Sequence, residues 1–469
     1  MKRTKLAQAM DQISDSYIAD AAQKRAKRRL PWLGAAAAVL AVVLLLRFVE
    51  FPMAIRAQAV STASAPRITG RPDLDDYGTR EAWLSDLERW DSQRAQRQDT
   101  AAQSMEQMDD FLQRSCQEFL NGSEENRLYS PINAYIGLAM AAELTAGQTQ
   151  AQLLAALGAE STEALRLSVS ALWEQVYRDN GKEICTLANS LWLDDSTKFH
   201  QPPMDILARD YYASVYRQDL SSDRALRDIQ AWLNNNTGGF LKDSVQNVQL
   251  PREAVLALYS TIYFQSKWTD EFNAANNTKD TFHSTGGDLS CTFMNKKRSQ
   301  MHYYWGESFG AVSLHLKNGS QMWFFLPDPD KTTDQVLAEG EYLKLLTDNS
   351  EENRKYMMVN LSVPKFDIQG TQDLREGLEQ LGITDLFDLE KADFSTSMEG
   401  PAFITAANQS VRVAVDEQGV TAAAYLELPG AGAAAPPEEI IDFVLDRPFL
   451  FVITGSGGIP LFAGTVNQP

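Results

Sequence analysis

The chain has 469 residues, of which 44% are hydrophobic and 10% aromatic, so it is long and apolar enough to bury a large core. Its formal net charge is −19, and its basic residues form no dense patch outside the N-terminus, which excludes nucleic acid as an expected partner. Three cysteines, Cys116, Cys185 and Cys291, lie far apart without metal-ligand spacing. We expect free thiols, although the sequence alone leaves room for one disulfide.

A basic segment at the N-terminus precedes a long uncharged run. Residues 1–29 contain eight Lys or Arg and three Asp, and residues 30–46 read LPWLGAAAAVLAVVLLL. A span of the hydrocarbon core needs about 17–25 such residues, and basic flanks stay cytoplasmic. We therefore predict a cytoplasmic tail over 1–29, a transmembrane signal-anchor over 30–51 and an extracellular remainder. The alternative is a signal peptide cut near Ala59 or Ala65, which would give a secreted protein.

The rest of the chain divides into a polar linker and one large domain. Residues 52–102 are rich in small and charged residues, with a helical pattern over 81–98, and are predicted to form an extracellular linker. The domain is predicted over 103–469. It opens with helical patterns at 105–120, after Ser130-Pro131 and at 149–157, and its C-terminal part is rich in strand patterns. This order predicts an α+β fold with large antiparallel sheets.

One segment near the C-terminus combines two patterns that do not belong together. Alternate residues from Val420 to Leu428 are apolar, which is the period of a strand with one buried face. The next nine residues, 429–437, are only Ala, Gly and Pro and cannot anchor a core. From these residues alone, an ordinary strand followed by a flexible linker is one interpretation, and a loop able to become a strand is the other.

The sequence contains no complete catalytic motif. The four histidines, at 200, 283, 302 and 315, have no metal-ligand spacing. Ser362 and Lys365 match an SxxK string, but Pro364 breaks the helix that such a motif requires. Residues 455–458 read GSGG, a turn pattern that lacks the spacing of a nucleophile elbow. We therefore expect no enzyme activity, no metal and no cofactor.

A series of short motifs, taken together and in order, resembles the serpin family. They are NRLYSP at 126–131, AGQT at 146–149, ANSLWL at 188–193, IQAW at 229–232, TGG at 237–239, IYFQSKW at 262–268, VPKF at 363–366, LGI at 381–383, ADFS at 392–395, VDEQG at 415–419, RPFLF at 447–451 and LFAGTV at 461–466. The resemblance covers about residues 105–469. It implies about nine helices around three β-sheets, with a large central sheet A and an exposed reactive-centre loop at about 419–440. We expect a bacterial member that carries an N-terminal membrane-anchor extension.

The resemblance assigns a role to the segment with two patterns. It implies that the hinge and insertion residues are Gly419, Val420, Thr421, Ala422, Ala423, Ala424 and Leu426. Counting fourteen residues from Gly419, as the family spacing implies, places the scissile bond between Ala433 and Ala434, with Ala431 and Leu428 as fallback sites. An Ala there favours proteases with small S1 pockets, either elastase-like or subtilisin-like. After cleavage the loop would insert into sheet A and trap the acyl-enzyme.

The resemblance also implies which residues control the opening of sheet A. The upper, or breach, residues would be Glu417 and Trp268, and the lower, or shutter, residues would be Ser130, Asn133, Ser260 and Gln409. Val420 replaces the usual Thr of the hinge, and Gln409 stands where the family usually has a His. Glutamine can still donate and accept hydrogen bonds.

These features lead to two expected functions. The first is a monomeric extracellular inhibitor that forms a covalent complex with a target serine protease, a cysteine protease being a second class of target consistent with the loop. The second is a non-inhibitory binding or substrate protein with the serpin fold, which the altered shutter favours. A hydrolase would need an activity that depends on Ser362 or Ser456.

Overall fold

A computed structural model describes residues 55–63, 72–74, 77–122, 124–179, 183–347, 352–420 and 439–469. The predicted tail and anchor, residues 1–51, lie outside the described residues. Within these ranges, no helix is both long and apolar enough to span a bilayer. All of them belong to one folded unit, Ala54–Pro469.

The described residues contain ten α-helices and seventeen strands. The helices are α1 (Arg80–Leu120), α2 (Pro131–Leu144), α3 (Gly147–Ala156), α4 (Thr162–Val176), α5 (Gln201–Asp210), α6 (Asp223–Asn236), α7 (Lys242–Val245), α8 (Thr333–Glu339), α9 (Glu341–Thr347) and α10 (Arg375–Gln380). The strands are β1 (Gln58–Ser61), β2 (Arg127–Tyr129), β3 (Arg178–Asp179), β4 (Ile184–Asp194), β5 (Ala213–Gln218), β6 (Leu256–Lys267), β7 (Thr278–Ser284), β8 (Gly287–Trp305), β9 (Phe309–His315), β10 (Gln321–Pro327), β11 (Arg354–Pro364), β12 (Phe366–Asp373), β13 (Asn408–Val415), β14 (Gly419–Val420), β15 (Ile440–Val444), β16 (Phe449–Thr454) and β17 (Pro460–Val466).

Helix α1 is 41 residues long and joins two helical patterns that the sequence presents separately. It begins at Thr79, whose side chain accepts a hydrogen bond from the Ala82 backbone N–H. No Gly or Pro interrupts the following residues, so the helix continues through residue 103, the predicted start of the domain. Its buried residues begin only at Ala101, and the preceding turns are mostly exposed.

The first sheet, which corresponds to sheet A, has the strand order β1-β5-β4-β6-β14-β13-β12, with β3 paired to β4. The long antiparallel pair β4–β6 forms one half, and the antiparallel pair β12–β13 forms the other. Between the halves, the strand order passes through the two residues of β14. Helix α6 lies against β4 and β6, where Ile229 and Trp232 form a small core with Trp192.

The second sheet has the order β15-β11-β8-β9-β10-β16-β17-β2, with β7 paired to β8. Strands β16 and β17 are buried along their whole length, and α2, buried at every residue except Gly137, contacts β6 and β17 between the two sheets. The predicted fold class is confirmed. In the part of the chain that the structure describes, the strands join into two hydrogen-bonded sheets rather than three, because the 19-residue β8 pairs with β7, β9 and β11.

Candidate functional site

The hinge begins inside sheet A. Strand β14 pairs with both halves of the sheet, since Val420 lies opposite Ser266 of β6 and Val415 of β13. The side chain of Val420 is buried, with 3% exposed, and belongs to the main core. Gly419 lies so close to β6 that a Cβ atom there would clash with the Ser266 carbonyl oxygen and lie 2.6 Å from the Lys267 Cα. The hinge therefore starts as a short strand between the two halves.

A tight turn delivers the chain from β13 into the hinge. The Asp416 carboxylate accepts hydrogen bonds from the backbone N–H groups of Gln418, at 2.8 Å, and Gly419, at 3.2 Å. The Asp416 backbone N–H donates to the Gly419 carbonyl at 3.1 Å. An aspartate that bonds the backbone two or three residues on is the usual stabiliser of such a turn.

Trp268 and Glu417 fix this turn to the top of the sheet. The buried indole of Trp268 donates to the Asp416 carbonyl at 2.9 Å, and its backbone N–H donates to the Gln418 carbonyl at 3.0 Å. The Glu417 carboxylate accepts from Lys365 Nζ at 2.8 and 3.1 Å and from the Asn277 amide. Burial raises the pKa of Glu417, but the hydrogen bonds from Lys365 and Asn277 outweigh it and hold that pKa below its ordinary value.

Ser130 and Gln409 form a fully bonded pair below the hinge. The Ser130 backbone N–H donates to Gln409 Oε1 at 2.8 Å, and Gln409 Nε2 donates back to the Ser130 carbonyl at 2.9 Å. The Ser130 hydroxyl donates to the Leu461 carbonyl at 2.6 Å. The amide thus ties the start of α2 to β13 through two bonds. The Gln409 side chain therefore accepts one hydrogen bond and donates another.

Asn133 and Ser260 form a second pair that is only partly bonded. Asn133 Nδ2 donates to the Ser260 carbonyl at 3.1 Å, which links α2 to β6. Among the described residues, Asn133 Oδ1 and Ser260 Oγ have no hydrogen-bond partner. Buried polar atoms without partners weaken a closed arrangement. The shutter is therefore firmly bonded on its β13 side and weakly bonded on its β6 side.

A small cavity separates the two halves of sheet A directly below Val420. Its volume is about 20 Å³, just enough for one water molecule. The lining residues come from β6 (Ile262, Tyr263 and Phe264), from β13 (residues 410–413) and from the cover above (Thr237, Phe240 and Leu241), with Ile453 and Phe462 behind. We call this cavity the slot; among the described residues, only the two of β14 join β6 to β13.

Phe240 covers the slot and contacts both of its walls. Arg412 of β13 lies over the Phe240 ring, 4.5 Å from its centroid, and donates to the Phe240 carbonyl at 3.2 Å. On the β6 side, the Tyr263 ring centroid is 6.4 Å from that of Phe240. Arg412 is also paired with Asp367 of β12 at 2.7 Å. The sequence did not reveal this cover, although Phe240 directly follows the TGG motif, and it did not reveal the partner of Glu417, although Lys365 belongs to the VPKF motif.

Seven predicted site residues lie outside the described residues: Thr421, Ala422, Ala423, Ala424, Leu426, Ala433 and Ala434. The next described residue is Glu439, whose carboxylate accepts from Lys355 Nζ at 2.7 Å. Strand β15 follows and pairs in parallel with β11. The described ends of the predicted loop therefore belong to different sheets.

The remaining candidates for catalysis or metal binding are Ser362, the cysteines and the His, Asp and Glu side chains. Ser362 lies in strand β11 rather than in a helix, and its hydroxyl donates to Asn295 at 2.6 Å. The three cysteines are free, and burial raises the pKa of the Cys116 and Cys185 thiols to about 12. The described part of the chain holds no group of His, Cys, Asp and Glu side chains that could bind a metal ion.

Comparison with known proteins agrees with this geometry. A family model described as serpin (serine protease inhibitor) matches residues 106–469. Alpha-1-antiproteinase of Callosciurus caniceps is 28% identical over 355 residues, which cover 73% of this chain and 83% of that protein. For plasminogen activator inhibitor 1 of Sus scrofa the identity is 27% over 356 residues, with 74% and 87% covered.

A solved structure has a similar fold. The crystal structure of a thermophilic serpin, tengpin, in its native state has a TM-score of 0.68 and 27% identity, and the match covers 77% of this chain and 93% of that one. The family model alone covers well over half of the sequence. This chain belongs to the serpin family.

Proposed function

We propose that the chain is an extracellular suicide-substrate inhibitor of serine proteases with small-residue specificity. Serpins are typically protease inhibitors rather than enzymes. The observation that carries the proposal is the hinge: Val420 is already paired between the two halves of sheet A and lines the cavity between them. The alternate small or apolar residues that follow it, 422 to 428, have the period needed to continue that strand.

The proposed reaction uses the protease's own chemistry. The protease nucleophile adds to the carbonyl carbon of Ala433, the bond to the Ala434 nitrogen breaks, and the leaving amine takes a proton from the protease's general acid. The Ala433 acyl group stays on the protease as an ester. Insertion of the loop between β6 and β13 then carries the protease away and distorts its oxyanion hole before water can hydrolyse the ester.

The residue at the scissile bond supports a particular class of target. Alanine fills a small, shallow S1 pocket and offers no cation to the buried aspartate of trypsin-like enzymes. Elastase-like and subtilisin-like serine proteases are therefore the proposed targets, since both residues of the proposed bond, 433 and 434, are Ala. Cysteine proteases that accept small residues are the secondary class.

The test is to mix the full chain with a pancreatic-type elastase and with subtilisin. We expect an SDS-stable adduct on denaturing gels, together with a released peptide that begins at Ala434 by intact mass. Replacing Ala433 with Arg should move complex formation from elastase to trypsin, because Arg suits the acidic trypsin pocket. Clean cleavage of the wild-type chain without any adduct would reject inhibition and leave the binding or substrate protein.

We further propose that residues 30–51 anchor the protein in a membrane with the serpin domain outside the cell. The uncharged run and its basic N-terminal flank support this orientation. Protease added to intact cells should remove the domain, whereas a cytoplasmic control protein should survive. Degradation only after permeabilisation would contradict the orientation, and full-domain protein in the medium would favour cleavage near Ala59 or Ala65.

A further inference from the structure

A cavity with a volume of about 630 Å³ lies where α2, α3, α4 and α5 meet, and it shares no lining residue with the slot. Its lining comes from the end of α2, from α3, from the starts of α4 and α5 and from Thr396. Pockets that hold small molecules have volumes of roughly 300–1,000 Å³ and are mostly apolar, with a few polar groups. This cavity, here called the helix pocket, therefore has a suitable size for a small molecule.

One wall of the helix pocket is apolar. It consists of Pro202, Pro203 and Ile206, near the start of α5. Proline has no backbone N–H, so this helix start lacks two of the donors that usually bind an anion at such a position. Pro203 is buried and Ile206 packs against the main core, which holds the wall in place. The wall therefore suits the apolar part of a molecule and offers little to an anion.

The donors of Gln150, on α3, are already used within the protein. Its Nε2 donates to the carbonyls of Ala142, at 3.0 Å, and of Thr145, at 2.8 Å. Both partners can only accept, so they fix the orientation of the side-chain amide and leave its Oε1 as an acceptor. The hydroxyl of Thr396 also donates to the Thr145 carbonyl, at 3.1 Å. These two lining side chains therefore direct their donors at the protein itself.

His200 and Gln201, where α5 begins, show the same pattern. The Thr396 carbonyl accepts a hydrogen bond from His200 Nδ1 at 3.0 Å, which leaves Nε2 as the acceptor of a neutral imidazole. Gln201 Nε2 donates to the Asp205 carboxylate at 2.8 Å and to the Ser61 hydroxyl at 3.4 Å, and its Oε1 remains an acceptor. These polar groups match a ligand that donates hydrogen bonds.

Among the charged side chains that the structure describes in and beside the helix pocket, carboxylates predominate. Glu143 is 4% exposed and accepts from Arg166 Nε at 2.7 Å, from Arg166 Nη2 at 2.8 Å and from the Tyr211 hydroxyl at 3.0 Å. The Glu163 carboxylate lies 3.5 Å from Arg166 Nη1, and Asp205 of α5 adds a further negative charge. A cation would be attracted to these carboxylates, whereas an anion would compete with them for one guanidinium.

We infer that the helix pocket binds a small molecule that joins an apolar body to a protonated amine. The apolar body would lie against the proline wall, and the N–H groups of the amine would donate to the acceptors of Gln150, His200 or Gln201. The positive charge would offset the surrounding carboxylates. The inference does not depend on the proposed inhibitor function, because no lining residue belongs to the hinge, the shutter or the slot.

The first test compares two dyes on the full chain. Dansylcadaverine carries an apolar fluorescent ring system and a primary amine, and dansyl-6-aminohexanoic acid carries the same rings and a carboxylate on a chain of similar length. Dansyl fluorescence rises and shifts to shorter wavelength when the rings leave water. We expect the amine dye to bind with a dissociation constant on the order of 10 µM, which is typical of a ligand of its size. The carboxylate dye should bind at least about tenfold more weakly, because the carboxylates of the pocket repel it.

Two lysine variants locate the binding site. Gln201→Lys places a cation at an exposed position of the pocket lining, and Gln96→Lys places the same charge at an exposed position of α1. Gln201→Lys should weaken binding of the amine dye by about tenfold and strengthen binding of the carboxylate dye, since the added charge repels one and attracts the other. Gln96→Lys is the matched control and should bind both dyes as the wild type does.

Four results would overturn the inference. They are a wild type that does not bind the amine dye, equal affinity of the wild type for the two dyes, tighter binding of the carboxylate dye, and equal affinities of the two variants for the amine dye. The second result would show that the rings alone decide binding, and the third that Arg166 recognises anions. The fourth would place the site elsewhere on the protein. The comparison of the two dyes on the wild type stays decisive even if a variant does not fold.

Discussion

The carboxylate of Glu417 ties the turn before the hinge to two distant parts of the chain. Burial alone would raise its pKa, yet the bonds from Lys365 and Asn277 hold the pKa below the ordinary value of 4.5. A carboxyl group with a lowered pKa in the folded state stabilises the fold fully above its unfolded pKa and loses that contribution as the pH falls through the folded value. The hinge turn should therefore be held equally well at every pH above about 5.

Glu417→Gln should lower thermal stability at neutral pH, because Lys365 loses its charged partner. The difference from the wild type should persist from pH 8 to about 5 and shrink below the ordinary glutamate value of 4.5. Melting temperatures of both proteins across pH 3–8 give the measurement. Glu399→Gln, at an exposed ion pair with Lys198, is the control and should have little effect at any pH. A gap that stays constant down to pH 3 would show that the charge of Glu417 is irrelevant.

Gly419 is required by the close approach of two backbones. A Cβ atom at this position would lie against the Ser266 carbonyl and the Lys267 Cα, which are backbone atoms that cannot rotate away. Gly419→Ala should therefore push β14 off β6, costing about 1–3 kcal/mol as other overpacked sites do, and should reduce adduct formation with the protease. Gly370→Ala in β12 is the matched control, since nothing lies within 4 Å of a Cβ there. Denaturant unfolding should separate the two variants, and equal stability would contradict the close contact.

The sequence predicts candidate site residues, but not their hydrogen-bond partners. Trp268, Glu417, Ser130 and Gln409 are predicted because they belong to, or align with, motifs along the chain. Their partners Asn277 and Leu461 come from remote segments that no local pattern connects. For Gln409, the sequence predicts that the side-chain amide can donate and accept hydrogen bonds. It does not predict that the Ser130 backbone is the partner, because that depends on how α2 packs against β13.

The alternation of buried and exposed positions in the hinge belongs to a whole strand, so substitutions at neighbouring positions can be compared. Val420 is buried, so Ala422 and Ala424 have the phase that faces the core if the strand continues, and Ala423 has the opposite phase. Ala424→Arg would place a charge against the core and should turn the inhibitor into a substrate that is cut without an adduct. Ala423→Arg should leave most of the adduct yield unchanged. The ratio of adduct to cleaved protein is measured on denaturing gels for both variants. Equal adduct yields from the two variants would reject strand insertion in this phase.

The elements themselves were predictable to different degrees. The buried strands of the C-terminus have strong apolar patterns and were found as strands. Strand β1 was not, because QAVS is four residues long and its pairing partner β5 lies far along the chain. The sequence pattern predicts two separate helices in place of α1, because the first half has a charged, exposed surface and the second half an apolar face. Continuity there depends on the uninterrupted backbone rather than on burial.

At the scale of the whole molecule, the two halves of sheet A are joined, among the described residues, only by the short strand β14. Cleavage of the proposed loop would add a strand between β6 and β13, with a ladder of new hydrogen bonds and buried side chains from Val420 onward. If each bond contributes about 1 kcal/mol, the melting temperature of the cleaved protein should rise by roughly 10 °C or more. Differential scanning calorimetry before and after limited elastase treatment is the measurement. An unchanged or lower melting temperature would mean that the loop does not insert.

The fold class could be predicted from the order of helices and strands and from the collinear motifs, and the family comparison confirms it. The number of sheets depends on a detail that no local pattern contains. Strand β8 runs for 19 residues and changes partners along its length, from β7 to β11 and β9. Sequence patterns report which residues are extended, but not where one strand exchanges one neighbour for another.

The free cysteines have a consequence for the conditions in which such a sheet can expand. Cys185 lies in β4, within the half of sheet A that must move, and no disulfide ties either it or Cys116 to another element. Because burial keeps both thiols protonated at neutral pH, the reactive thiolate is scarce and oxidants have little to attack. If loop insertion moves this half of the sheet, as proposed, no disulfide has to be reduced or exchanged first. Inhibition should therefore not require a reductant.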